Sequence, residues 1–150
     1  MKKALALVLA LCMVLALCAC GTKSETPTNT AAAAGSKLKI GVILVGDETE
    51  GYTKAHMDGI EAAKTALGMS DDQVVYMKSI PENSECNDAA VKLINEDGCT
   101  AIFANSYGHQ TFMAQAAKDY KDVTFVSMTG DFAAISGLSN LKNAFTDVYQ

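Results

Sequence analysis

The feature that most constrains this chain is a change of hydrophobic period that recurs along it. Short, nearly continuous apolar runs alternate with longer stretches in which apolar residues return every three or four positions. Residues 38–45 (Leu-Lys-Ile-Gly-Val-Ile-Leu-Val) form the first run, closed by Gly46, as expected of a strand covered on both faces. Tyr52, Ala55, His56, Gly59, Ile60, Ala63 and Leu67 then recur at helical spacing until Gly68, which predicts an amphipathic helix with a glycine stop. Residues 74–80 read as a second strand, ended by Pro81. Cys86, Ala89, Ala90, Leu93 and Ile94 repeat the helical stripe, with Asn83 or Ser84 as its N-cap and Gly98 as its stop. A third strand over 100–104 follows. The third stripe runs through His109, Phe112, Met113, Ala116, Ala117 and Tyr120, with Ser106 as its cap, and residues 123–128 supply a fourth strand. Residues 129–140 read as irregular, and 143–149 as a fifth, less apolar strand. Such alternation means right-handed βαβ units. The expected fold class is α/β, a doubly wound parallel sheet with helices on both faces, and no repeat at a solenoid period competes with it.

The first twenty residues stand outside that pattern. Lys2 and Lys3 precede an apolar stretch from Ala4 to Leu17, and small residues follow, the layout of a secretory signal peptide. A transmembrane anchor is the competing reading, but the stretch is at the short limit of a spanning helix and no lysine cluster follows it directly. Leu17-Cys18-Ala19-Cys20-Gly21 resembles a bacterial lipobox, with Cys20 as the acceptor thiol. The expected organisation is a signal peptide over residues 1–19, a lipidated Cys20 and flexible tether over 20–36, and a folded lobe over 37–150. Lipidation with more than one acyl chain would hold the mature protein on the extracytoplasmic face of the cell membrane.

Charge and cysteine usage narrow the partners. All 12 basic side chains are Lys and 17 residues are acidic, for a net charge of −5. Losing Lys2 and Lys3 with the leader leaves 10 lysines and a charge of −7. An acidic domain without arginine forks does not suit a nucleic-acid partner. Of the 5 cysteines only Cys86 and Cys99 lie beyond the leader. A helix opening at Cys86 and running to Asp97 would separate them by roughly 15 Å, more than a disulfide tolerates. With His56 and His109 in different segments, no zinc site is expected either, and no cofactor is implied.

Ligands of such sheets lie outside the carboxyl ends of the strands. Three βα junctions meet there: residues 46–52 with Asp47, Glu48, Glu50 and Tyr52; residues 105–109 with Asn105, Ser106 and His109; and residues 129–132 with Thr129 and Asp131. They offer carboxylates, amides, hydroxyls and an aromatic face, which suits an uncharged polar molecule. A phosphate is disfavoured, because the G-x-G-x-x-G spacing is missing and three acids stand where a helix N-terminus would attract an anion. That argues against a dinucleotide dehydrogenase, and a secreted chain has no access to the kinase of a receiver-type phosphoacceptor. Each residue also has a plainer reading. Glu48 and Glu50 can simply hydrate a loop, Tyr52 can pack in the core, His56 and His109 can be packing or capping histidines, and Cys86 a small buried hydrophobe. The methionines read as core filler. No nucleophile stands between a base and an orienting carboxylate, so an enzyme is not expected.

At these junctions the chain resembles the basic membrane protein family of substrate-binding lipoproteins, purine-nucleoside-binding components of ABC importers. The resemblance is carried by residues 39–53 (Lys-Ile-Gly-Val-Ile-Leu-Val-Gly-Asp-Glu-Thr-Glu-Gly-Tyr-Thr), 55–60, 102–109 (Ile-Phe-Ala-Asn-Ser-Tyr-Gly-His), 125–134 and 140–149. It implies a type I periplasmic-binding fold, two α/β lobes closing by a hinge over a nucleoside, of which this chain would be the N-terminal lobe. It places Tyr52 as the aromatic that stacks on the base, Asp47 at the end of the first strand, Asn105 and Ser106 as polar contacts, and Thr129 or Asp131 where a family aspartate binds ribose hydroxyls. It implies ABC permease subunits and the membrane as partners. Family members are longer and carry a second lobe, so a fragment of a longer protein is expected. Two other classes compete: a sensory or regulatory ectodomain that reads a small molecule, and a secreted nucleoside hydrolase. The hydrolase needs a cluster of metal-binding aspartates that Asp47, Glu48 and Glu50 do not supply.

Overall fold

A computed structural model of the chain describes residues 38–144. The leader, Cys20, the tether and residues 145–150, which include most of the expected fifth strand, lie outside the described residues.

Five short strands form one sheet: β1 (Ile40–Ile43), β2 (Val74–Met77), β3 (Ala101–Ala104), β4 (Thr124–Ser127) and β5 (Leu141–Asn143). Their order is β2-β1-β3-β4-β5 and every pairing is parallel. Each connection carries a helix: α1 (Gly51–Leu67), α2 (Glu85–Asn95), α3 (Gln110–Asp119) and the single turn α4 (Ala133–Ser136). The expected doubly wound α/β sheet is therefore present. The chain steps from β1 outward to β2 and returns past β1 to β3. Loops leave β1 and β3 in opposite directions, and the crevice between them is where such sheets hold ligands.

The strands are shorter than the apolar runs that mark them. Beyond Ile43 the backbone stays bonded in an irregular ladder, with Leu44 N–H donating to Met77 O and Ile80 N–H to Leu44 O, both at 2.9 Å. One face of the sheet is packed tightly. Ile43, Ile102, Phe125 and Leu141 meet Cys86, Ala89, Ala90 and Leu93 of α2 and Met113, Ala114, Ala116 and Ala117 of α3 in one buried cluster. Gly41 permits that approach, because a Cβ there would lie 2.8 Å from Ile102 Cδ1 and 2.9 Å from Leu93 Cδ1. Removing the Leu93 side chain would cost about 2–5 kcal/mol. The other face has a smaller cluster, Val42, Leu44, Met69 and Val74, against Met57, Ile60 and Leu67.

On α1 the sequence stripe mixes two faces. Thr53 is buried and His56, Met57, Ile60 and Leu67 are half-buried, while Ala55, Gly59 and Ala63 are exposed. Larger side chains at 53, 57, 60 and 67 win the sheet because they bury more area than alanine or glycine. Gly68 ends α1 as expected, in the left-handed region at φ 63°, with Met69 N–H bonded to Lys64 O at 3.0 Å. Asn83, not Ser84, makes the cap bond of α2: its Oδ1 accepts from Glu85 N–H at 2.8 Å.

Two segments depart from expectation. Ser106 does not cap α3 through its hydroxyl; a 3-10 turn, Tyr107–His109, intervenes and the hydroxyl is directed elsewhere. Residues 129–140 are not wholly irregular, since they contain α4, and the fifth strand begins at Leu141 rather than Asn143. A four-residue helix is shorter than two turns of any hydrophobic stripe, so periodicity cannot mark it. Asn140 closes the end of α3, its Nδ2 donating toward Ala117 O, Tyr120 O and Val123 O, each at 3.0 Å. Cys86 and Cys99 are free and buried, and burial pushes their thiols up to about 12 and about 11.

Candidate functional site

At the carboxyl edge of the sheet, three of the six predicted residues are brought together. Tyr52 begins α1, Asn105 follows β3 and Thr129 follows β4. The Tyr52 hydroxyl donates to Asn105 O at 2.5 Å and lies 2.8 Å from Thr129 Oγ1, which itself reaches Asn105 O at 3.0 Å. Asn105 is fully buried, and its Oδ1 accepts from Val45 N–H at 2.9 Å, tying the end of β1 to the end of β3. Tyr52 remains 44% exposed, so its ring stands at the crevice while its hydroxyl is held. The ring of His56 meets it edge-on, with centroids 4.6 Å apart at 72°, and burial holds the His56 pKa below its ordinary value. Tyr52 is thus neither a core aromatic nor a freely swinging one.

The other three lie outside that cluster: Asp47 is bonded within its own loop, and Ser106 and Asp131 to neighbouring junctions. Asp47 Oδ1 accepts from Thr49 Oγ1 at 2.5 Å and from Thr49 N–H at 2.9 Å; those bonds hold its carboxyl below the usual range. Ser106 donates its hydroxyl proton to Glu82. Asp131 is exposed and accepts from the Tyr107 hydroxyl at 3.3 Å.

Four residues that the sequence reading did not single out complete the edge. Glu82 belongs to a fourth junction, between β2 and α2, and also accepts from Gly108 N–H at 3.0 Å. These bonds, the Ser106 hydroxyl first, lower its pKa. Tyr107 is 56% exposed beside Asp131. Gln110, buried at the start of α3, has its Oε1 bonded to Asp131 N–H at 3.0 Å and Phe132 N–H at 2.9 Å. Asn143, at the end of β5, accepts from Ala133 N–H at 3.1 Å. Every βα junction of a parallel sheet opens on the same edge, so counting junctions would have pointed to Glu82. Nothing in spacing marks Gln110 or Asn143. His109 is buried and packs under this edge, its Nε2–H donating to Ile80 O at 3.0 Å. Burial lowers its pKa, so the neutral ring is favoured.

The helix starts on this edge are occupied from within. Glu50 accepts from Tyr52 N–H and Thr53 N–H, both at 2.7 Å, and these backbone bonds depress its pKa. Glu48, read as a hydrating carboxylate, pairs with Lys78 at 2.8 Å. Glu82, Gln110 and Asn143 fill the equivalent places after β3 and β4. A cavity of about 220 Å³ lies elsewhere, between β2 and α2, lined by Met77, Ile80, Glu85, Asp88, Ala89 and Lys92. It holds none of the predicted residues and is smaller than an ordinary small-molecule site. Among the described residues no His, Cys, Asp and Glu group has the arrangement of a metal site.

No protein-family model matches the chain, and no curated protein matches it in sequence. Solved structures do resemble it. A transcriptional activator of the comK gene from Bacillus halodurans superposes with a TM-score of 0.56 at 18% identity, over 70% of this chain and 33% of that one. An ABC transporter solute-binding protein from Conexibacter woesei superposes with a TM-score of 0.57 at 14% identity, over 71% of this chain and 34% of that one. The chain thus spans about a third of the length of either neighbour. At these identities the likeness is one of fold alone: the parallel α/β sheet of this chain resembles part of a solute-binding protein and part of a transcriptional activator.

Proposed function

We propose that the chain is the ligand-binding part of an extracytoplasmic lipoprotein serving an ABC importer, and that it captures an uncharged polar small molecule, a purine nucleoside in the leading case, without chemistry. The observation that carries this reading is the occupation of the helix starts. A phosphate binds such an edge through free N–H groups at helix N-termini. Here Glu50, Glu82, Gln110 and Asn143 already accept from those groups. Two of the four acceptors are carboxylates, which repel an anion as well as excluding it. A neutral ligand avoids both penalties. In this reading Tyr52 presents a fixed ring face to the base, Thr129 and Asp131 face its hydroxyl groups, Asp47 flanks the first junction, and Asn105 and Ser106 brace the crevice from behind. Cys20 carries the anchor at the cell membrane, and permease subunits are the protein partners.

The solute-binding neighbour supports the importer setting. The transcriptional-activator neighbour supports the alternative, a sensory or regulatory domain that uses the same crevice to read a small molecule. Both readings require a neutral ligand here. Isothermal titration of the full chain in detergent with inosine and guanosine, set against their 5′-monophosphates, is the test. Nucleoside binding with the monophosphates at least tenfold weaker is expected. Monophosphates binding as tightly would overturn the neutral-ligand reading, and silence with every nucleoside to millimolar concentration would overturn the nucleoside assignment.

A further inference from the structure

Five hydroxyl groups of the carboxyl edge have an acceptor inside the protein, whereas the Ser127 hydroxyl, buried at the end of β4, has no partner among the described residues. Thr49 Oγ1 donates to Asp47 at 2.5 Å, Ser106 to Glu82, and the Tyr107 hydroxyl to Asp131 at 3.3 Å. The fourth and fifth, Tyr52 and Thr129, form a triangle with the carbonyl of Asn105, with sides of 2.5, 2.8 and 3.0 Å. Two hydroxyl protons serve three oxygen–oxygen contacts there, since a carbonyl supplies none. One side of the triangle therefore lacks a proton, and the hydroxyl oxygens keep lone pairs for which no donor remains. The main-chain N–H groups of Tyr52, Thr53, Gly108, Asp131, Phe132 and Ala133 are likewise consumed by side-chain oxygens.

We propose that the Tyr52–Thr129 pair is an acceptor subsite: it recognises a ligand through an O–H or N–H proton that the ligand donates to the pair, and it disfavours a group there that can only accept. The proposal rests on the edge being the binding site, and it adds a polarity rule that applies to any neutral ligand, nucleoside or not. A donating hydroxyl completes the triangle at no cost. An acceptor can be served only by pulling a proton out of the triangle, which breaks an internal bond that is worth a net interaction of the usual size. Tyr52 and Thr129 thereby become specificity-determining residues through their proton count, a role that ring stacking alone does not require of Tyr52.

The test has two arms on the full chain in detergent. In the free protein, the hydroxyl protons of Tyr52 and Thr129 are sought by NMR and assigned by their disappearance in Tyr52→Phe and Thr129→Val. Both protons protected from exchange with water supports the proposal. Either proton exchanging as fast as a solvent-facing hydroxyl overturns it, whatever the ligand. In the second arm, inosine is compared by calorimetry with its 2′-fluoro and 3′-fluoro isosteres, which accept weakly and donate nothing. A loss of tenfold or more for at least one isostere in the wild type, shrinking in Thr129→Val while Thr129→Ser retains it, supports the rule. Isosteres binding as tightly as the parent overturn it. If no nucleoside binds, the nucleoside assignment fails alone, the same comparison passes to glucose and its fluoro-deoxy isosteres, and the free-protein arm still decides.

Discussion

The first and the last βα junctions of the sheet present the same problem and meet it from different distances. After β1, the free N–H groups of α1 are taken by Glu50, which lies two residues before Tyr52 and three before Thr53 in the same loop. After β4, the N–H groups leading into α4 are taken by Gln110, which lies 21 and 22 residues away, and by Asn143, 10 residues away on β5. One junction caps itself and the other is capped by its neighbours. A self-capped junction needs only its own loop to form. A junction capped from elsewhere exists only once α3, β4 and β5 have assembled, so its geometry reports on the tertiary structure.

The largest expected way to break this contrast is Gly130→Ala. Gly130 sits at φ 138°, a region closed to other residues, and an added Cβ would lie 2.5 Å from Gln110 Oε1. Backbone strain and displacement of the shared amide together should cost about 3 kcal/mol in chemical denaturation. Next comes Gln110→Ala, which leaves two amides of the last junction without their acceptor and should cost about 2 kcal/mol. Hydrogen exchange should show protection lost at Asp131 and Phe132 and unchanged at Tyr52 and Thr53; loss at both junctions would deny that the caps are independent. Tyr52→Phe, which cuts the link between the two junctions, should cost about 1 kcal/mol, with the change in exchange centred on residues 105 and 129.

The smallest expected effect is the sharpest discriminator, because the two kinds of cap differ in charge. Glu50 and Glu82 have pKa values depressed below 4.5 by the bonds they accept. Their contribution is complete above the unfolded value and is lost as pH falls through the lower folded value. Gln110 and Asn143 are amides and do not titrate. Exchange measured between pH 5 and pH 3 should therefore loosen Tyr52, Thr53 and Gly108 before Asp131 and Phe132. His109 adds a separate, earlier step: its folded pKa is depressed from 6.5, so the unfolded chain binds its proton first and global stability begins to fall as pH drops below about 6.5. Replacing His109 with Gln should remove that step and leave the later carboxylate loss in place.

These contrasts also set how much of the molecule was legible beforehand. Strand and helix positions were readable because the stripes of α2 and α3 put Ala89, Leu93, Met113 and Ala117 on one buried face. The rotation of α1 was not, because Ala55 and Ala63 obey the period as well as Met57 does, and only competition for the sheet separates them. Of the candidate site residues, Tyr52, Asn105 and Thr129 lie together because they follow strand ends, which parallel topology sends to one edge. Glu82 was missed with the junction that carries it.

By itself, then, the sequence determined the alternation of strands and helices, the parallel α/β class and the start of α1 at its own acidic loop, since each depends on residues within a few positions of one another. The tertiary structure decided which groups face the crevice. The Tyr52 hydroxyl meets Asn105 across 53 residues and Thr129 across 77, and Gln110 meets the β4–α4 junction across 21. Hydrogen bonds are directional and short, so whether such groups donate outward or inward is fixed only when packing sets their positions to within fractions of an ångström.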